Sequence, residues 1–177
     1  MSNWNNYTLG TEEIWSNYYT TLPNLRELEY RWKSLDTSSH AIQNMMAMEK
    51  IVLAYKTFKV TDLFGDIPFS EAGYGYLDAS KLHPAFDTQE NIYKNLLSEL
   101  EWAANHIDPA ANTEEPYLTF KSFDNLFFGD LVKWQKFANS LRLRYAMRMV
   151  NKEPLLAGSI VEDIILNFKP VFGVNEF

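Results

Sequence analysis

One stretch of the chain, Ile51–Glu71, constrains the fold more than any other. It begins as a run of apolar residues with helical character and then meets Gly65 and Pro68. Glycine adopts the left-handed conformation that closes a helix at little cost, and a proline soon after it prevents the helix from continuing. Because the residue before a proline is pushed into an extended conformation, Ile67 must lie outside the helix. The sequence therefore predicts a long helix that ends at Gly65.

The residues upstream of this stop predict a helix that is buried on most of its surface. The segment Asp36–Ser39 interrupts the preceding pattern and offers caps, so we expect the helix to run from about His40 to Leu63. A helix with so narrow a polar face is usually packed between neighbours, and its methionines fill gaps in the core rather than forming a cofactor site. The apolar positions are Ile42, Met45, Met46, Met48, Ile51, Val52, Leu53, Tyr55 and Phe58.

A first helix is predicted upstream of Asp36. Residues 3–10 are polar and turn-like, and Thr11 can cap the helix that follows them. Aromatic and leucine side chains then recur at steps of three and four residues, which is typical of an amphipathic helix. Pro23 lies inside this pattern, so we expect a kink there or two short helices end to end.

Two long helices and a short one are predicted downstream. Asp87–Glu90 forms a capping box for a helix that extends to about His106. Asp130 caps the next helix, which begins at Leu131, reaches about residue 151 and is rich in Lys and Arg. We expect these basic side chains to pair with acids on other helices. Residues 159–167 form a short last helix. The prediction is an all-α fold with four main helices joined by unequal loops.

Composition excludes several classes of function. The net charge of −7 argues against nucleic acid as a partner, because phosphate binding requires concentrated Lys and Arg. The chain has no Cys, which removes disulfides, thiolate metal sites and cysteine nucleophiles. Its apolar runs are too short to cross a bilayer, and its first residues show no signal peptide.

The sequence offers no pattern typical of an enzyme, a metal site or a cofactor site. The three histidines, His40, His83 and His106, are isolated from one another. Asp62 and Asp66 flank Gly65 and resemble a glycosidase carboxylate pair, but we expect them to make local turn and cap hydrogen bonds. A fragment of an α-helical glycosidase is therefore the least favoured hypothesis. We expect a binding protein without catalytic residues, cofactor or metal.

Four residues are candidates for ligand contact. Trp32 and Asp36 lie where the first two helices are joined, and Tyr74 and Tyr76 lie on the long connection between Gly65 and Phe86. An exposed aromatic ring beside a carboxylate suits a sugar, which has an apolar face and a rim of hydroxyl groups. The alternative is that Trp32 belongs to the core and the two tyrosines pack locally.

Three segments of the chain together resemble the SusD/RagB family of outer-membrane nutrient-binding lipoproteins, in its SusD-like branch. They are the turn Thr61–Ala72, the helix start Phe86–Tyr93 and the segment Gly129–Arg144. The resemblance covers about residues 15–149. It implies tetratricopeptide-like stacked helical pairs with long irregular loops and a non-enzymatic role in capturing glycan or peptide nutrients. It also implies that the partner is a TonB-dependent transporter of SusC type, which the family covers like a lid.

The resemblance carries further expectations about the whole protein. Family members are much longer and carry a lipid on an N-terminal Cys. We therefore expect residues 1–177 to be a single helical domain, the N-terminal part of a longer SusD-like protein. The expected location is the outer membrane, as a cell-surface lipoprotein whose anchor is absent from this chain. The alternative function is a helical-repeat scaffold for protein interactions that binds no nutrient.

Overall fold

The apolar residues that follow His40 form the central helix of the fold. The structure is a computed structural model, and it describes residues 5–167 and 169–173. Six α-helices are found there, with two very short strands between the second and third. They are α1 (Asn5–Trp32), α2 (His40–Phe64), β1 (Ile67–Pro68), β2 (Phe86–Asp87), α3 (Gln89–His106), α4 (Tyr117–Phe120), α5 (Leu131–Met149) and α6 (Pro154–Leu166). The all-α prediction is confirmed.

Helix α2 is packed between its neighbours on nearly every side. It contacts α1, α3, α4, α5 and the strand β1. Ile51 and Phe58 have no exposed surface, and Met45 and Met48 belong to the same hydrophobic core. The ring of Phe58 stacks on Tyr145 of α5 with centroids 3.5 Å apart. The prediction of an almost fully buried helix with core methionines is therefore confirmed.

Consecutive long helices run antiparallel and are joined by polar contacts as well as by the core. Between α1 and α2 the hydroxyl groups of Tyr18 and Thr57 lie 3.0 Å apart. At the other end of α2, the Asn44 side chain donates to the carbonyl of Asp108, which follows α3, at 3.0 Å. Such hydrogen bonds satisfy polar groups that would otherwise be costly to bury.

Helix α2 ends at Gly65 as predicted. Gly65 has φ +74° and ψ −122°, and its N–H donates to the carbonyl of Thr61 at 2.8 Å. The Thr61 hydroxyl donates in turn to the Gly65 carbonyl at 2.6 Å. The chain then leaves in an extended conformation, and Ile67 and Pro68 of β1 pair antiparallel with β2. This pairing closes the long connection into a loop whose two ends lie side by side.

The first helix differs from its prediction in two ways. It begins at Asn5, so residues 5–10 are helical, whereas residues 3 and 4 lie outside the described part of the chain. Gly10 does not stop the helix, because one glycine costs only about 1 kcal/mol relative to alanine. Pro23 does not divide it either, so the prediction of two short helices is wrong. Leu22 and Leu25 on either side of Pro23 are buried, and this packing holds both halves in one helix.

Predicted capping roles near α3 are also corrected. The N-cap of α3 is Thr88, whose hydroxyl accepts from the N–H of Asn91 at 3.3 Å, so the box begins one residue later than predicted. Asp66 is not a local turn residue, since it accepts the N–H of Gln89 at 2.8 Å. Asp62 likewise reaches across the fold, where it accepts the Tyr93 hydroxyl and pairs with Arg148.

Helix α5 begins as predicted, and two of its basic side chains, Arg142 and Arg148, pair with acids of other helices. Asp130 caps it by accepting the N–H of Lys133 at 3.1 Å. Arg142 is 1% exposed and donates to Glu101 at 3.0 Å and to Asp163 at 2.9 Å. Because Glu101 lies on α3 and Asp163 on α6, this guanidinium links three helices. The last helix begins at residue 154, five residues earlier than predicted.

One carboxyl group is buried without a hydrogen-bond partner among the described residues. Glu49 of α2 is 5% exposed, and neither of its carboxyl oxygens has a hydrogen-bond partner among the described residues. Burial and the charge of Glu29 raise the pKa of Glu49 to about 8, although Lys50 and Arg26 act in the opposite direction. The folded protein therefore holds this group protonated at neutral pH.

We expect Gly65→Ala to destabilise the protein by about 1–2 kcal/mol. A Cβ atom at this position would meet no atom within 4 Å, so the loss would come from the backbone conformation alone. Gly10→Ala is the matched control, because Gly10 also has open space around it but lies inside α1. The control should be neutral or stabilising. Urea unfolding followed by circular dichroism measures the free energy of unfolding of both variants. Equal effects of the two substitutions would show that the backbone conformation of Gly65 is not the cause.

We expect Glu49→Gln to stabilise the protein at alkaline pH and to have little effect near pH 5. The pKa of Glu49 is about 8 in the folded protein and 4.5 in the unfolded chain. The folded protein therefore loses stability as the pH rises between these two values. Gln cannot ionise, so its advantage should grow over this interval to about 2–5 kcal/mol. Unfolding free energies of both proteins from pH 5 to 9 test this. A difference that does not change with pH would show that Glu49 is ionised in the fold.

Candidate ligand-binding cleft

The buried side chain of Arg26 ties the long connection back to α1. Its guanidinium is almost wholly buried and donates to the carbonyl groups of Phe69 at 2.8 Å and Ala72 at 3.3 Å. It also donates to Glu29 at 2.7 Å. Burial opposes the charge of Arg26, but the Glu29 carboxylate more than offsets this and holds its pKa above the ordinary value. The buried guanidinium of Arg26 therefore fixes the position of the long connection.

A cleft of about 380 Å³ lies between α1, α3 and the start of this connection. We call it the polar cleft. Most of its lining side chains are charged or hydrogen-bonding groups, and the apolar residues that line it belong to the core. Its lining residues are Arg26, Glu29, Leu53, Phe69, Ser70, Asp87, Asn91, Ile92, Asn95 and Glu99.

Helix α3 contributes a row of hydrogen-bonding side chains to the polar cleft. Asn91, Asn95 and Glu99 are spaced four residues apart, so they lie on one face of the helix. The side-chain amides of Asn91 and Asn95 have no partner among the described residues. Glu99 pairs with Lys50 through one oxygen, and Glu29 uses one oxygen for both Arg26 and Tyr74. Each glutamate thus keeps its other oxygen free for a ligand within the described structure.

The rim of the polar cleft is held rigid by Asp87. One of its oxygens accepts the N–H groups of Phe69 at 3.0 Å and Ser70 at 2.8 Å, and the Ser70 hydroxyl at 3.0 Å. Three hydrogen bonds to one carboxylate oxygen fix this turn relative to β2. The cleft is therefore formed before any ligand arrives.

The two predicted tyrosines lie against α1, and neither of them lines the polar cleft. The Tyr74 hydroxyl donates to Glu29 at 2.6 Å, and its ring lies near Arg26 and Lys81 with distances of 5.0 and 5.1 Å to the centroid. Tyr76 is 51% exposed, and its hydroxyl faces the carboxylate of Glu27. Tyr76 therefore offers an accessible ring, while Tyr74 mainly positions Glu29.

The other two predicted residues lie elsewhere. Trp32 is 7% exposed and belongs to the core, so its ring offers no accessible face. Asp36 is exposed in the loop after α1, where one oxygen accepts the N–H and hydroxyl groups of Ser38 at 3.0 and 2.6 Å. These hydrogen bonds hold the pKa of Asp36 below its ordinary value. The loop is thus a local turn.

A second cavity of similar size is less suited to a ligand. It measures about 390 Å³ and lies between α3 and the loop that joins α5 to α6. Most of its charged groups already pair with one another or with their neighbours: Lys94 with Glu90 and Glu153, and Arg148 with Asp62. Within the described ranges no group of three or more acidic or histidine side chains is arranged to hold a metal. None of the described helices is long and apolar enough to cross a membrane.

The lining of the polar cleft offers hydrogen-bond donors and acceptors. Amide groups donate and accept, and carboxylate oxygens accept, which matches the hydroxyl groups of a sugar. The aromatic residues and loops that are typical of sugar sites did not indicate this cleft, because its hydrogen-bonding side chains lie on one face of a helix. The signal was present as the four-residue spacing of Asn91, Asn95 and Glu99, opposite an expected cap at Asp87.

Comparisons with known proteins agree with this description. A family model described as SusD-like, starch-binding and associating with the outer membrane matches residues 1–176. A solved chitin-binding protein has 28% identity and a TM-score of 0.73 and covers 93% of this chain. A chitin-binding SusD homolog from Flavobacterium johnsoniae has 28% identity, a TM-score of 0.63 and 92% coverage. A SusD homolog from Bacteroides uniformis has 27% identity, a TM-score of 0.68 and 88% coverage.

The chain corresponds to only part of these structures. It covers 32% of the chitin-binding protein, 32% of the Flavobacterium homolog and 29% of the Bacteroides homolog. A comparison with curated proteins found no match. The family match nevertheless extends over nearly the whole chain, and the solved structures share its helical fold. The chain therefore belongs to the SusD-like family of starch-binding proteins that associate with the outer membrane.

Proposed function

We propose that this chain is the non-catalytic, glycan-binding part of an outer-membrane nutrient-uptake complex and that it binds its ligand in the polar cleft. The family's starch-binding description and two chitin-binding structural relatives support a glycan ligand. The observation that carries the proposal is the row of side chains on α3. Asn91 and Asn95 are free to bind hydroxyl groups, and the surrounding turn is already ordered.

The aromatic part of the site is the ring of Tyr76. This ring lies outside the lining of the cleft, but it is half exposed and can pack on the apolar face of a sugar. Tyr74 acts through Glu29, since its hydroxyl orients that carboxylate. Ligand contact by Trp32 and Asp36 stays a prediction, and loss of binding in Trp32→Ala without unfolding would support it.

The partner in this proposal is a TonB-dependent transporter of SusC type, and the ligand passes from the cleft to it. The protein acts at the outer membrane as a cell-surface lipoprotein. Residues 1–177 are the N-terminal helical domain of that longer protein. Support comes from the family's association with the outer membrane and from solved relatives about three times as long.

One surface favours the alternative of a protein-interaction scaffold. Asp124 accepts the N–H groups of Leu126 at 2.9 Å, Phe127 at 3.1 Å and Gly129 at 2.9 Å, together with the indole N–H of Trp134 at 2.7 Å. These bonds hold a loop that exposes several large apolar side chains. Phe123, Leu126 and Phe128 are 74%, 53% and 82% exposed. An ordered, exposed apolar loop suits contact with another protein.

We expect Asn95→Ala to weaken glycan binding roughly five- to tenfold, which corresponds to the loss of one or two hydrogen bonds. Isothermal titration with maltohexaose and chitohexaose measures the effect, and a tryptic digest of casein provides the peptide comparison. Asn24→Ala is the matched control. Asn24 is an exposed asparagine of α1 outside the cleft, so this substitution should leave the affinity unchanged.

The results test the location of the site and distinguish a glycan ligand from a peptide ligand. Binding of either hexasaccharide that Asn95→Ala weakens and Asn24→Ala does not would support the polar cleft as the site. Binding that both substitutions leave unchanged would contradict that location. Failure of both hexasaccharides to bind would contradict the proposed function for this chain, and binding of casein peptides alone would favour a peptide ligand.

A further inference from the structure

The charges that line the polar cleft are predominantly negative. One cationic side chain, Arg26, lines it together with three carboxylates, those of Glu29, Asp87 and Glu99. Arg26 is 5% exposed, and its N–H groups are directed at Glu29 and two carbonyl groups. Its charge therefore serves the fold rather than the ligand. A ligand in the cleft meets mainly carboxylate oxygens and the side-chain amides of Asn91 and Asn95.

Glu49 does not line the polar cleft, since it belongs to the lining of a separate, largely apolar cavity. It lies on α2 one turn before Leu53, which lines the cleft, and it interacts electrostatically with Arg26 and Glu29 of α1, Lys50 of α2 and Glu99 of α3. Its carboxyl oxygens have no hydrogen-bond partner among the described residues. The cations near it are already paired, Arg26 with Glu29 and Lys50 with Glu99.

We propose that the polar cleft prefers glycans that carry protonated amino groups, and that it disfavours glycans that carry carboxylate groups. This inference rests on the proposed function, since it names the class of glycan that the same site takes. It is carried by the excess of carboxylates in the lining of the cleft, by the free oxygens of Glu29 and Glu99 and by the free amide of Asn95.

The chemistry of an ammonium group matches this lining. An ammonium has three N–H donors and no acceptor, and the cleft offers acceptors to each of them. Hydrogen bonds between an ammonium and a carboxylate are roughly twice as strong as those between neutral groups. A uronic acid presents a carboxylate instead, which Glu29, Asp87 and Glu99 repel. A neutral sugar is expected to bind with intermediate affinity.

The affinity test uses three hexasaccharides at about pH 6 and low ionic strength, where amino sugars are largely protonated. We expect the glucosamine hexamer to bind at least about tenfold more tightly than the galacturonic acid hexamer, with the N-acetylglucosamine hexamer between them. Glu99→Gln should reduce this ratio about threefold or more. Glu162→Gln is the matched control, since Glu162 is an exposed acid of α6 outside the cleft and the change in net charge is the same.

Each outcome decides the inference. Equal affinity for the three hexamers would overturn the charge preference, yet binding of the neutral hexamer would leave the proposed function standing. An equal reduction of the ratio by Glu162→Gln and Glu99→Gln would also overturn it, because the net charge of −7 rather than the cleft would then be the cause. Binding of none of the hexamers would overturn the proposed function as well.

Discussion

The burial of α2 is the constraint on which the rest of the structure depends. Because this helix is apolar around most of its circumference, it is stable only when α1, α3 and α5 cover it. The neighbours then have fixed places, and each presents its own polar face outward. The stop at Gly65 directs the chain across the end of α2, where β1 and β2 bring the long connection back to the start of α3.

The polar cleft follows from this packing. Helices α1 and α3 both lie on α2, and the side chains that they direct away from the core meet over Leu53. Arg26 holds the connection at one end of this space through two carbonyl groups, and Asp87 holds it at the other through Ser70 and Phe69. The site is therefore formed by rigid helices and a turn fixed at both ends, which keeps the cost of ordering a ligand site low.

The sequence predicted the elements whose signals are local and strong. Repeated apolar spacing located α2, α3 and α5. Gly65 correctly marked the end of α2, and Asp130 correctly marked the start of α5. Predictions failed where a local signal competes with packing across the fold. Pro23 breaks an isolated helix, but buried leucines on both sides keep α1 continuous. The partners of Asp62 and Asp66 lie on helices that only the folded chain brings near, so no local pattern could reveal them.

The candidate site was harder to predict for a related reason. Exposed aromatic rings are typical of sugar-binding sites, but tertiary packing decides whether a ring is exposed. Trp32 lies in the core. Glu49 is the opposite case, because a polar residue occupies a core position of α2. Its carboxyl group has no hydrogen-bond partner among the described residues. A leucine at this position would avoid the cost of burying an unpaired polar group. The fold holds this group protonated at neutral pH, so its cost to stability is greatest above its raised pKa, where ionisation would place a charge in the core.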